Sequence, residues 1–240
     1  MKENFSVLSL VLRLKMKWIL IVFACIPLLT LSVYLLLCLG ERTPAFSGGG
    51  IEVLFMIVFA VGSLMVALLC SEIISGKNRK RTMLARLQIS EQRVLVWEIV
   101  ACVLFFLMLW QVEIITVGVA GLIHNSSKWN TTGKQGVVVA ILYTPFFRYV
   151  IPAFDWKNLL RGICCVVCSG IASGCISMDS GKSAARGVGV VVLILASLLF
   201  VFGWRAEILF FIVIGTLVTV ILSVRHLHGG KEATENEEDR

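Results

Sequence analysis

The chain has 240 residues, of which 58% are hydrophobic and only 15% are charged. Soluble domains average about 45–50% apolar and about 25% charged residues, so the composition excludes an ordinary soluble fold and predicts a polytopic membrane protein. The formal net charge is +7, but the cations flank apolar runs. We therefore assign them to membrane lipid headgroups and membrane orientation, and we expect no nucleic-acid partner.

The start of the chain predicts an interfacial helix followed by two membrane spans. Basic residues are interspersed with apolar ones over residues 4–17, which is typical of a helix lying in the cytoplasmic interface. Residues 18–40 are long enough to cross the bilayer once, and residues 51–74 would return the chain to the cytoplasm.

A densely basic loop, residues 76–93, separates the second span from the third. Cations this close to apolar spans place a loop on the cytoplasmic side. A short helix beginning after a Thr82 cap gathers apolar side chains on one side and leaves charged ones more exposed. That apolar side predicts a surface for docking a partner, and the alternative is that it lies on the membrane. The residues concerned are Thr82, Met83, Leu84, Arg86, Leu87, Ile89 and Glu91.

The third predicted span, residues 94–122, contains polar side chains in an apolar run. Glu98 lies near its cytoplasmic end, where we expect it to pair with the basic loop. Gln111 and Glu113 lie in the outer half. A carboxylate at mid-membrane costs on the order of 2.5–3.5 kcal/mol, so Glu113 is expected to face a bundle interior or a wet pathway.

Two alternatives for Glu113 stay open. It lies near enough to the outer surface to be hydrated, or it pairs with Arg148 or Arg161. Arg148 belongs to residues 134–153, an apolar but short stretch. A crossing here would move the later basic loop outside, so we interpret this stretch as an outer-face or re-entrant segment.

The last part of the chain predicts three more spans, at residues 158–178, 187–203 and 206–224. Gly170 and Gly174 lie one turn apart, which permits close helix packing within one subunit or between subunits. The sequence thus predicts an all-α protein with six transmembrane helices and both termini in the cytoplasm. The acidic residues 229–240 are expected to form a disordered tail.

No catalytic signature accompanies these spans. Ser180 to Ser183 resemble the end of a phosphate-binding loop, but Ile176 stands where that motif requires glycine. The cysteines lie in apolar runs and are interpreted as small hydrophobic residues. We therefore expect no enzyme activity, no catalytic residue, no cofactor and no metal site.

The order of these features resembles the permease subunits of bacterial type 2 ABC exporters. The resemblance rests on the amphipathic start, on the loop sequence RTMLARLQISE at residues 81–91, on Trp110-Gln111, and on FRYVIPAFDW at residues 147–156. It implies that residues 82–90 form a coupling helix on a separate ATPase subunit. It also implies a second permease copy or paralogue and export across the bacterial plasma membrane. A membrane scaffold or sensor without transport is the alternative.

Overall fold

The computed structural model describes residues 2–39, 49–70, 91–126, 150–151, 156–178, 184–202 and 206–238. Six long helices account for nearly all of these residues, which confirms the all-α prediction. Their bounds are α1 Lys2–Leu39, α2 Gly49–Cys70, α3 Glu91–Ser126, α4 Trp156–Met178, α5 Ala184–Phe202 and α6 Ala206–Glu238.

Four helices contain segments long and apolar enough to cross a membrane. These segments are Lys15–Val33, Val53–Cys70, Gln92–Ile123 and Trp156–Ser177. Helices α5 and α6 carry shorter apolar segments, Arg186–Ala196 and Leu209–Arg225. Each predicted span therefore falls on one helix, whereas the count of six membrane crossings stays a prediction.

Helix α1 runs without a break from the predicted interfacial region into the first predicted span. A separate interfacial helix is therefore not confirmed. The reason is local, because no glycine or proline stands near Lys17 to end a helix, and Pro27 lies inside α1. Helix α6 likewise continues through residues 229–238, where we expected a disordered tail. Several of these residues are Ala, Lys or Glu, which favour helix.

Helices α3 and α4 form the centre of the bundle and pack against each other. Helix α3 also contacts α1 and α2, and α4 also contacts α2, α5 and α6. Many outward-facing side chains are apolar, so the exterior suits lipid or another apolar surface. Examples are Leu28, Leu36, Ile57, Ile115, Phe210, Phe211 and Leu217.

The two predicted packing glycines lie where α4 meets α3. A Cβ atom on Gly170 would lie 2.6 Å from the Cα of Val103, and one on Gly174 would lie 2.9 Å from the Cα of Ile99. A step of four residues forward on α4 thus matches four residues back on α3, so the two helices are antiparallel. The close approach at these glycines is made within a single chain.

Candidate pathway site on the third helix

Helix α3 carries two carboxylates, Glu98 and Glu113, whose side chains are completely buried. They are 15 residues apart, which corresponds to about 22 Å along a helix. Buried carboxylates are costly unless their oxygens accept hydrogen bonds or a cation lies beside them. Their surroundings therefore decide what each one does.

Glu98 belongs to a fully buried polar cluster that joins four helices. The ammonium group of Lys15 on α1 donates to Glu98 Oε1 on α3, and the Ser177 hydroxyl on α4 donates to the same oxygen at 2.9 Å. Lys15 also donates to the carbonyl oxygen of Cys70 at the end of α2, at 2.5 Å. The cluster thus ties α1, α2, α3 and α4 together.

This cluster bears on two sequence predictions. Among the described residues Glu98 pairs with Lys15, whereas residues 76–90 of the basic loop lie outside them. The Lys15 side chain is buried, not spread in the headgroup layer. Because α1 is one continuous helix that includes the first predicted span and packs against α3, it carries Lys15 alongside α3. The side chain then reaches a buried carboxylate 83 residues away in the sequence.

Glu113 has a different environment. Neither of its carboxylate oxygens has a hydrogen-bond partner in the part of the chain that the structure describes. Complete burial contradicts the alternative of a hydrated surface residue, and the absence of a hydrogen bond contradicts pairing with Arg161. Arg148, the other partner considered, lies outside the described residues. Glu113 is buried because it shares one face of α3 with Phe106, Leu109 and other core residues.

Gln111 and Glu113 are not brought together. Side chains two positions apart on a helix point about 200° away from each other. Accordingly, Gln111 is exposed while Glu113 is buried. Of the two predicted pathway residues, only Glu113 faces the interior of the described bundle.

A cavity lies between α2, α3, α4 and α5, one turn of α3 from Glu113. The cavity volume is about 20 Å³, which is room for about one water molecule, and the cavity is partly open to its surroundings. Its walls are mainly apolar and aromatic, with two serine hydroxyls. The lining residues are Phe59, Ser63, Phe106, Leu109, Trp110, Cys165, Val166, Ser169 and Ala196.

The direction of helical side chains relates Glu113 to this cavity. Leu109 and Trp110 precede Glu113 by four and three residues and line the cavity wall. Residues at this spacing share a helix face, and side chains in a helix lean towards its N-terminus. Glu113 therefore lies on the same face of α3 as part of the cavity wall, but it is not itself one of the lining residues.

Trp110 connects the cavity wall with the segment that precedes α4. Its indole nitrogen donates to the carbonyl oxygen of Val150 at 2.9 Å, and Val150 is fully buried. Val150 and Ile151 are the described part of the predicted segment 134–153. Sequence reasoning did not assign a structural role to Trp110, because a tryptophan within an apolar helix gives no sign of its partner.

The predicted ATPase-coupling residues lie almost entirely outside the described residues. This holds for Thr82, Met83, Leu84, Arg86, Leu87 and Ile89, whereas Glu91 is the first residue of α3. The described part of α2 ends at Cys70, whose carbonyl accepts the hydrogen bond from Lys15. In the sequence, the predicted basic loop at residues 76–93 follows six positions later.

The described helices define an all-helical protein with an apolar exterior and two buried polar centres, a composition that suits membrane embedding. Among the described residues, no group of three or more His, Cys, Asp or Glu side chains is placed to hold a metal ion. No protein-family model, curated protein or solved structure matches the chain.

Proposed function

We propose that this chain is the transmembrane permease subunit of an ATP-driven ABC exporter in a bacterial plasma membrane. A separate ATPase subunit supplies the energy, and a second permease copy or paralogue completes the pathway. The observation that carries the proposal is Glu113, a fully buried carboxyl group without a hydrogen-bond partner among the described residues, one helical turn from residues that line a cavity between four helices.

The cost of burying Glu113 favours transport over a passive role. Ionisable side chains within membrane helices are costly and typically mark substrate or ion pathways. The Glu98 carboxylate pairs with Lys15 and Ser177 through one oxygen, Oε1, whereas neither oxygen of Glu113 has a hydrogen-bond partner among the described residues. The contrast between the two carboxylates on one helix supports a functional role for Glu113.

In the proposed topology, six spans place both termini and the basic loop in the cytoplasm. The Glu98 cluster then lies towards the cytoplasmic side of α3 and Glu113 towards the outer side. Movement of the ATPase reaches the bundle through residues 82–90. The contact of Lys15 with Cys70, at the end of the described part of α2, and with Glu98 would pass this movement to α1 and α3.

The test is co-purification of an ATPase with the full chain and with the double variant Leu84→Asp and Leu87→Asp. We expect an ATPase with a phosphate-binding loop to co-elute with the native chain and to be lost from the variant, because two charges replace the apolar centre of the contact. The double variant Gln88→Asp and Ser90→Asp adds the same charge without removing an apolar side chain, and it should retain the ATPase. Retained ATPase binding and transport in the leucine variant would contradict the proposal.

A further inference from the structure

Helix α1 carries the least enclosed of the four segments that are long enough to cross a membrane. Only 22% of Lys15–Val33 is buried inside the bundle, compared with 61% of Trp156–Ser177 on α4. Within the described part of the chain, α1 makes extensive contacts with α2 and α3 alone. A helix with few packed neighbours separates from a bundle at lower cost than a central one. Among the described helices, α1 is therefore suited to move.

A polar contact fixes α1 at one end of this segment. The ammonium group of Lys15 is buried and donates to Glu98 on α3 and to the Cys70 carbonyl on α2. Between Lys15 and Pro27, the buried side chains of α1 are apolar. They are Ile19, Phe23 and Ile26. Lipid tails compete equally for apolar side chains, so apolar contacts alone hold membrane helices together weakly. The ion pair is thus the specific tie between this part of α1 and α3.

Pro27 lies inside α1, 12 residues after Lys15. Proline has no amide hydrogen, so the carbonyl of Phe23, four residues earlier, loses its intrahelical hydrogen bond. Sharp bends in helices concentrate at such positions. About 18 Å of helix separate Pro27 from Lys15, so a small bend at Pro27 moves Lys15 a long way. Residues 2–26 can therefore tilt away from α3 without unfolding.

We propose that Lys15 and Glu98 form a latch that holds residues 2–26 of α1 against α3, and that Pro27 is the hinge about which this arm opens. The structure holds the closed state, in which the Cys70 carbonyl and the Ser177 hydroxyl fix the two charged groups. Separation of Lys15 from Glu98 opens the seam between α1 and α3. The latch is a property of this chain alone, and only its use in export rests on the proposed function.

Two native thiols distinguish opening of this seam from loosening of the whole bundle. Cys102 is fully buried and lies one turn after Glu98 on the same face of α3. Cys165 is also buried, but it lines the cavity from α4, which has no extensive contact with α1. A buried thiol reacts only when its surroundings open, so the rate of labelling reports the open population.

The experiment follows labelling of both thiols by N-ethylmaleimide, with peptide mass spectrometry, in the purified full chain in detergent. Lys15→Met breaks the latch and should accelerate labelling of Cys102 by about tenfold or more, equivalent to about 1.4 kcal/mol in the opening equilibrium. Cys165 should keep its native rate. Lys17→Met is the matched control, because Lys17 is exposed on another face of α1, and it should leave both rates unchanged.

Pro27→Ala tests the hinge without breaking the buried pair. Alanine restores the missing amide donor and favours helix, so α1 becomes stiffer. Labelling of Cys102 should then be slower than in the native chain by about threefold or more, with no change at Cys165. Because this variant keeps Lys15 and Glu98, the measurement decides between an opening arm and a static α1 even where Lys15→Met fails to fold.

Two results with Lys15→Met would overturn the latch. One is an unchanged rate at Cys102, and the other is equal acceleration at Cys102 and Cys165. An unchanged rate at Cys102 in Pro27→Ala would overturn the hinge. Each of these results leaves the co-purification of an ATPase unaffected. Conversely, a chain whose seam opens as described but that binds no ATPase would retain the latch and lose the proposed function.

Discussion

Helix α3 holds two buried carboxyl groups, Glu98 and Glu113, that differ in their hydrogen bonding. Glu98 accepts hydrogen bonds from Lys15 and Ser177. A buried pair of this kind contributes little net stability relative to apolar replacements, but removing one partner leaves an uncompensated charge and costs about 3–5 kcal/mol. The two residues should therefore depend on each other.

A double-mutant cycle tests this dependence. Lys15→Met and Glu98→Gln should each lower the free energy of unfolding by several kcal/mol, roughly 3–5 for the removal of one partner. The double variant should be more stable than the sum of the two losses predicts, because neither charge is then left unpaired. Thermal or denaturant unfolding in detergent measures all four proteins, and simple additivity would show that the pair is not coupled.

Glu113→Gln should behave differently. No hydrogen bond to a described residue is lost, and an amide of nearly the same size replaces the carboxyl group, so the variant should be about as stable as the native chain. Export by the assembled transporter should nevertheless fall, because the amide can neither carry a charge nor exchange a proton within the pathway. Normal levels of protein together with unchanged export would show that Glu113 is not part of the pathway.

At the scale of elements, the contact between α3 and α4 determines the geometry of the site. Gly170 and Gly174 let the backbone of α4 approach that of α3. This approach places the hydroxyl of Ser177 at Glu98 and the side chains of Cys165 and Ser169 at the cavity. A methyl group at either glycine would separate the helices and disturb both polar centres.

Alanine substitutions test this contact. Gly170→Ala and Gly174→Ala should each destabilise the chain by about 1–3 kcal/mol, since the new methyl group meets the backbone of α3 and no side chain can move aside. Gly118→Ala on α3 is the matched control, because a Cβ there meets nothing within 4 Å. That control should gain up to about 1 kcal/mol from its higher helix propensity. Equal effects at Gly118 and Gly170 would contradict the packing described.

The sequence predicted the helices well and their contacts poorly. A long apolar run in a membrane protein must satisfy its backbone hydrogen bonds internally, so runs such as residues 94–122 predict helices directly. The burial of Lys15 was not predictable, because it depends on Glu98, far away in the sequence. The cavity near Glu113 was not predictable for a similar reason, because its walls come from four helices that are far apart in the sequence. Glu113 is buried in the described bundle, as the cost of an ionisable group in a membrane helix suggests, whereas its role in a pathway stays a prediction.

At the scale of the whole molecule, the proposed topology determines which polar centre faces which side of the membrane. Single cysteines at Gly49, Asn130 and Ser183, introduced into a cysteine-free background, test it in intact cells. Those at Gly49 and Asn130 should react with membrane-impermeant thiol reagents, and that at Ser183 should not, since the basic loops are cytoplasmic. Labelling at Ser183 from outside would overturn the proposed topology.

The central claim is that Glu113 belongs to a pathway that opens when the partner ATPase works. A cysteine introduced by Glu113→Cys in the cysteine-free chain tests it, with Ala101→Cys as a control at a fully buried position on another part of α3. The measurement is the rate of modification by a small water-soluble thiol reagent in the purified complex with the ATPase, with and without ATP. We predict that ATP accelerates modification at position 113 and leaves position 101 unreactive. Equal, slow modification at both positions under both conditions would contradict the account.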